Sequence, residues 1–216
     1  MAELLPPEQP EKQNNARTLS WFSRFLINVV KTGKIPRSIA FIMDGNRRFA
    51  TRNGKEQHTG HAKGLEKLEE ALLWCKGLGI TELTVFALAK DNLKRSKVEV
   101  DTLMGLCKNQ FQRLSDNNGV FQKEKIKIRV LGDLSLLPTD VANSLRHTEE
   151  MTRHNTAATL NVCICYSGTD ELDHALETDP QTSEEFDSRL QGGYNIKPEI
   201  MVRTSGEIRL SNFMLH

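Results

Sequence analysis

An acid, a glycine, an asparagine and two arginines follow directly on an apolar run of strand length, Ser38-Ile39-Ala40-Phe41-Ile42-Met43-Asp44-Gly45-Asn46-Arg47-Arg48. These residue types at this spacing suit a metal ion and phosphate oxygens. Hard cations such as Mg²⁺ are usually held by one or two carboxylates plus substrate phosphates. Gly45 lets the backbone approach a ligand closely, and the guanidinium forks of Arg47 and Arg48 match phosphate geometry. A plain β-turn followed by two solvated arginines has the same letters, since Asp-Gly and Gly-Asn are common turn dipeptides. The choice between the two rests on what the rest of the chain brings to the same place.

Further polar residues stand after later apolar runs. Asp91, Asn92 and Arg95 follow Thr84–Ala89, Gly132 and Asp133 follow Ile126–Leu131, Ser167 and Gly168 follow Leu160–Tyr166, and Arg203 follows Glu199–Val202. Helical patterns lie between these runs. Leu65, Leu68, Leu72 and Cys75 share one helical face before Gly77 and Gly79. Ser96 with Glu99 forms a capping box that opens a helix to about Leu114, and Thr182 with Glu185 forms another before a short helix. Pro138 fits the first turn of a helix running to about Arg153. Alternating helices and continuous apolar strands predict a single α/β domain, a mostly parallel sheet with helices on both faces. In such sheets ligands bind at the carboxyl ends of the strands. Five loops then converge on one side, which favours a ligand site over a set of unrelated turns.

Bulk properties bound the alternatives. With 216 residues, 38% apolar and 26% charged, the chain can build one sizeable soluble core. Its 29 basic and 28 acidic residues leave a net charge of +1, so no overall field draws it to nucleic acid. Cys75, Cys107, Cys163 and Cys165 form no C-x-x-C pair and follow no secretory signal, which reads as reduced thiols in a cytosolic setting. Cys163 and Cys165 alternate in an apolar run and are expected on one face of a strand, as core packing. Residues 1–16 are polar and proline-rich and are expected to be disordered. Residues 17–34 predict a helix on which Trp21, Phe22, Phe25, Leu26, Val29 and Val30 share an apolar face. Such a helix suits a membrane surface or the protein's own core. No apolar run reaches the ~20 residues that span a bilayer.

Four separated stretches, in order, resemble the cis-prenyltransferases, the undecaprenyl and dehydrodolichyl diphosphate synthase family. They are F-I-M-D-G-N-R-R-F-A, the Gly60-His61 pair, D-N-x-x-R at Asp91, Asn92 and Arg95, and R-T-S-G-E-I-R-L-S-N-F at Arg203–Phe213. The paired arginines are closest to the eukaryotic dehydrodolichyl branch. The resemblance implies cis addition of isopentenyl diphosphate to an allylic diphosphate such as farnesyl diphosphate, Mg²⁺ as cofactor, and an apolar tunnel for the product. It implies Asp44 as the metal-linked catalytic acid and Gly45, Asn46, Arg47 and Arg48 as the allylic diphosphate cradle. It implies catalytic roles for His61, Asn92 and Arg95, and places isopentenyl diphosphate on Arg203, Arg209 and Ser211. For each the residues alone leave a plainer reading open: an exposed helix-start histidine, a loop before the Ser96 cap, and a strand end with a Thr-Ser-Gly turn.

The chain departs from the family pattern at Gln57, where an arginine is usual, at Ala89 and Asp91, which replace a serine and a glutamate, and at Thr169, where an arginine often stands. The Ala175–Glu185 segment reads as shortened. The pattern also continues past His216 with a tryptophan, a glutamine and a Mg²⁺-holding glutamate, so the resemblance reads the 35–216 domain as incomplete at its C-terminus. The expectation is therefore a polyprenyl diphosphate synthase for dolichol synthesis and protein glycosylation, in a heterodimer with a related accessory subunit or a homodimer. It would sit peripherally on the cytoplasmic face of the endoplasmic reticulum membrane. The alternative is a shortened, inactive form that acts as a partner-binding subunit or decoy.

Overall fold

Continuous apolar runs become the central layer. The computed structural model describes residues 19–45, 57–114, 120–190 and 196–215. Strands β1 (Ser38–Ile42), β2 (Glu82–Ala89), β3 (Ile126–Leu131), β4 (Ala158–Tyr166) and β5 (Ile200–Arg203) form one sheet in the order β3-β4-β2-β1-β5. Every neighbouring pair is parallel. All five carboxyl ends therefore lie on one rim, as the pattern of runs predicts. The helices are α1 (Trp21–Val30), α2 (Gln57–Leu78), α3 (Lys97–Leu114), α4 (Val120–Lys123), α5 (Thr139–Thr152), α6 (Gly168–Glu177) and α7 (Ser183–Arg189).

Local chemistry sets the helix ends. Ser96 Oγ accepts the Glu99 N–H at 3.4 Å, and Thr182 Oγ1 accepts the Glu185 N–H at 3.1 Å. At the end of α2, the Gly79 N–H donates to the Lys76 carbonyl and the Ile80 N–H to the Cys75 carbonyl, the paired bonds of a Schellman ending. Pro138 stands one position earlier than expected, at the N-cap of α5 rather than in its first turn. Helix α6 is absent from the sequence reading because G-T-D-E-L-D-H-A-L-E carries few apolar residues; its start is fixed by Ser167, whose Oγ accepts the Asp170 N–H at 3.2 Å.

One face of the sheet packs Leu83, Val85, Ile128, Leu160 and Val162 against Leu68, Leu72 and Cys75 of α2, Met104 and Phe111 of α3, and Val141 and Leu145 of α5. Each such Leu or Ile contributes about 1.5–3 kcal/mol on burial. On the opposite face Ala40, Ile42, Leu131, Cys163 and Tyr166 meet Ile196, Phe213 and Met214. Helix α6 joins that face through the Glu171 carboxylate, which accepts the buried Tyr166 hydroxyl.

The cysteines correct one expectation. Cys163 packs on the second face and Cys165 on the first. The period-2 alternation fails because β4 bulges: Cys165 takes φ +48°, and the β2–β4 register shifts between Phe86 and Leu88 and between Leu88 and Ala89. Gly132 accommodates the bulge. It has φ +118°, and a Cβ there would overlap the Ile164 carbonyl. Burial pushes the thiols of Cys75, Cys107 and Cys165 up to about 11, and raises that of Cys163 well above the ordinary thiol value.

Helix α1 docks on α2 through Ile27, which is buried against Gly77, and leaves its apolar face outward, the first of the two arrangements expected of it. Trp21 is 79% exposed, and Phe22, Phe25, Leu26, Val29 and Val30 are exposed with it. Among the described residues no helix is long and apolar enough to cross a membrane.

Strand β3 is a sheet edge, and side chains of α5 cover it. Glu149 Oε1 accepts the Val130 N–H at 2.6 Å and Thr152 Oγ1 accepts the Ile128 N–H at 3.0 Å. An edge strand would otherwise offer these donors to a foreign chain.

Candidate active site

Strand β1 ends at Ile42 and delivers Asp44 to the rim; β5, its neighbour, ends in Arg203. The register pairs Ile42 with Arg203, so the two side chains meet across 159 residues of sequence. Arg203 Nη2 donates to Asp44 Oδ2 at 2.9 Å. The side chain of Arg203 is 10% exposed and that of Asp44 29%. Arg203 Nη1 donates to Ser211 Oγ at 2.8 Å and to the Arg209 carbonyl. Arg203 Nε is buried and has no hydrogen-bond partner among the described residues. A nearly buried guanidinium with an unmet donor is costly to hold and calls for an anionic acceptor.

The backbone around Asp44 is fixed from the same side. Thr204 Oγ1 and Ser205 Oγ both donate to the Asp44 carbonyl, at 2.7 and 2.8 Å. The Gly45 N–H donates to Asp44 Oδ1 at 2.6 Å. Gly45 has φ +90°, and a Cβ there would overlap the Ser205 side chain, so glycine is required for conformation and for space. The chain from Thr204 to Met214 forms a strap across the rim. Near its end Phe213 is fully buried, stacked on Phe86 with ring centres 4.6 Å apart and edge-on to Tyr166 at 5.9 Å.

The structure thus gathers Asp44, Gly45, Arg203, Arg209 and Ser211 into one hydrogen-bonded group. In that group Arg209 contributes its carbonyl, while its guanidinium pairs with Glu207. Asn92 and Arg95 occupy the adjoining loop after β2, in and beside a short 3₁₀ turn (Lys90–Lys94), where the Arg95 N–H donates to the Asn92 carbonyl at 3.3 Å. They stand on the same rim, outside the Arg203 group. His61 lies on α2, and its side chain is outside the described residues, as are Asn46, Arg47 and Arg48. Beyond β2, Lys90 bridges to Asp170 in the first turn of α6. That bond raises the Lys90 pKa and lowers that of Asp170.

The sequence reading missed Thr204, Ser205 and Asn212, which build the site without touching its charge centre. Its one available signal was the density of hydroxyl and amide side chains in T-S-G and S-N, read there as a turn. It also missed that Phe213, an aromatic in a polar stretch, is an anchor.

As for a cation, the residues fit one that arrives with its own oxygens. A single partly exposed carboxylate, Asp44, lies beside a diphosphate-matching guanidinium. Among the described residues no three His, Cys, Asp or Glu side chains cluster as a protein-only metal site.

The family model described as "Putative undecaprenyl diphosphate synthase" matches residues 42–216, a span that contains every residue of this group. The chain belongs to the cis-prenyltransferase family. It is 42% identical over 209 residues to the dehydrodolichyl diphosphate synthase complex subunit of Homo sapiens, covering 91% of this chain and 63% of that protein. A subunit of the same description from Schizosaccharomyces pombe is 37% identical, covering 92% of this chain and 80% of the relative. The chain thus spans less than two thirds of the human relative's length. Among solved cis-prenyltransferase-like folds, lavandulyl diphosphate synthase from Lavandula x intermedia, in complex with dimethylallyl diphosphate, superposes with a TM-score of 0.76 at 26% identity, over 83% of this chain and 82% of that one.

Proposed function

We propose that the protein lengthens an allylic diphosphate, such as farnesyl diphosphate, by cis addition of isopentenyl diphosphate units, toward a long polyprenyl diphosphate of the dolichol type. The observation that carries this reading is the Asp44–Arg203 pair at the carboxyl ends of adjacent parallel strands, with the Arg203 Nε buried and unmet among the described residues. Mg²⁺, held by Asp44 and diphosphate oxygens, would neutralise charge on the departing diphosphate. Arg203, with Ser211 and Arg209 beside it, grips the diphosphate of the isopentenyl unit by charge-assisted hydrogen bonds. Gly45 with Asn46, Arg47 and Arg48 cradles the allylic diphosphate, and Asn92, Arg95 and His61 orient the reacting groups. An apolar tunnel, as the family resemblance implies, would take the growing chain.

The relatives named as synthase complex subunits support a role beside a related accessory subunit. The exposed aromatic face of α1, flanked by Arg24, Lys31 and Lys34 and free of acids, supports peripheral contact with the endoplasmic reticulum membrane. No observation favours the inactive-decoy reading, since the chain keeps both Asp44 and its arginine partner. The test supplies labelled isopentenyl diphosphate and farnesyl diphosphate with Mg²⁺, to the protein alone and with its partner subunit. Butanol-extractable product that Asp44→Ala abolishes is expected. No Asp44-dependent product in either setting would overturn the reading.

A further inference from the structure

Arg203 and Ser211 meet only if the strap holds its shape, and that shape is expensive. Ser205, Ser211, Asn212 and Met214 all take left-handed backbone angles, with φ of 73°, 53°, 61° and 46°. Residues other than glycine stay in that region only where their surroundings over-determine them. Bonds within the strap do not supply this at Asn212. Its contacts run instead to the first turn of α6, more than 40 residues away in sequence. Asn212 Oδ1 accepts the Thr169 N–H at 2.9 Å. Its Nδ2 donates to Ser167 Oγ at 3.0 Å and to Thr169 Oγ1 at 3.1 Å. Its main-chain carbonyl accepts the Gly168 N–H at 2.8 Å.

Asparagine suits this role better than other residues. It tolerates the left-handed conformation, and its amide offers an acceptor and donors together. Helix α6 is itself tied to the neighbouring loop by the Lys90–Asp170 bridge. The loops after β2, β4 and β5 are thus linked through one helical turn, and Ser211, the residue before Asn212, presents its hydroxyl to Arg203.

We propose that Asn212 is a positioning residue: by clamping the strap to the first turn of α6 it holds Ser211 and Arg203 in the geometry that grips a diphosphate. The role rests on the proposed diphosphate site. It acts on binding through geometry, with no contact between Asn212 and the ligand.

The test is titration of inorganic pyrophosphate with Mg²⁺ into the full chain by calorimetry. Asn212→Gly removes the clamp while keeping the backbone angle accessible, and Asn212→Asp keeps the acceptor for the Thr169 N–H. The glycine variant is expected to bind about tenfold more weakly, the scale of one lost charge-assisted hydrogen bond. The aspartate variant is expected to stay within about twofold of the wild type, because it keeps the acceptor for the Thr169 N–H and the Thr169 hydroxyl can turn to donate to it. A glycine variant that melts lower but binds pyrophosphate as the wild type does would overturn the proposal, leaving Asn212 a stabilising residue only. Should that variant not fold, Thr169→Val, at an exposed side chain, removes one partner of Asn212; a loss of about two- to threefold supports the clamp and unchanged binding refutes it. A wild type that takes no pyrophosphate refutes the diphosphate site itself, an outcome distinct from equal binding by wild type and variant.

Discussion

Replacing Glu149 separates what a hydrogen bond adds at the sheet edge from what a half-buried charge costs there. Its carboxylate accepts the Val130 N–H at 2.6 Å, and burial raises its pKa above the usual carboxylate value. Glu149→Ala leaves that N–H without its partner, which costs about 1–3 kcal/mol. For a chain of this size each kcal/mol moves the melting temperature by about 2–4 °C, so a fall of roughly 2–12 °C is expected. Glu149→Gln keeps a carbonyl acceptor and removes the charge, so at pH 7 it melts at or above the wild type. The pH dependence has a definite sign. A carboxyl whose folded pKa is raised gives stability that is fully present below the unfolded value and lost as pH rises through the folded one. The wild type therefore closes on the glutamine variant as pH falls from 7 into the region of the ordinary glutamate pKa, about 4.3. Calorimetric melts of the three proteins from pH 4 to 8 check this. An alanine variant as stable as the wild type, or a glutamine variant less stable than alanine, would refute the argument.

Other expectations follow from single contacts. Gly45→Ala meets both a φ of +90° and the Ser205 side chain; it should destabilise by at least about 1–2 kcal/mol in thermal melts, and adding Ser205→Gly should recover part of the loss. With thiol pKa values near 11, Cys75 and Cys165 carry a thiolate fraction of only about 10⁻³ at pH 8, so a disulfide reagent should label them far more slowly in the native protein than after unfolding in guanidinium. Trp21→Ser with Phe25→Ser removes two exposed aromatics from α1; co-sedimentation with anionic vesicles should fall at least about tenfold with no change in melting temperature.

The sheet was legible because a parallel strand buried on both faces needs a near-continuous apolar run, as β1, β2 and β4 have, while β3 alternates as an edge strand does and β5 shows only a short Ile-Met-Val run. The rim was legible for the same reason: polar residues after buried strands have only one place to go. Asp44 and Arg203 were found by that logic, and their meeting follows from the Ile42–Arg203 register. What stayed hidden depends on contacts that no period encodes. The Cys165 bulge comes from a register shift, and the α6 turn from side-chain caps rather than an apolar stripe. The outward face of α1 is invisible to periodicity, which reports that a stripe exists but not which side docks. The strap read as a turn because its left-handed residues are held from elsewhere, by α6 and by the pocket around Phe213.

The central claim is that Asp44 and Arg203 divide the work, one toward a divalent cation and the other toward a diphosphate. Titrating inorganic pyrophosphate into the wild type, Asp44→Asn and Arg203→Met, with and without Mg²⁺, tests it directly. The account predicts that Mg²⁺ strengthens binding to the wild type, that Asp44→Asn loses this enhancement, and that Arg203→Met binds weakly in both conditions. Full Mg²⁺ enhancement in Asp44→Asn, or unchanged affinity in Arg203→Met, would contradict it.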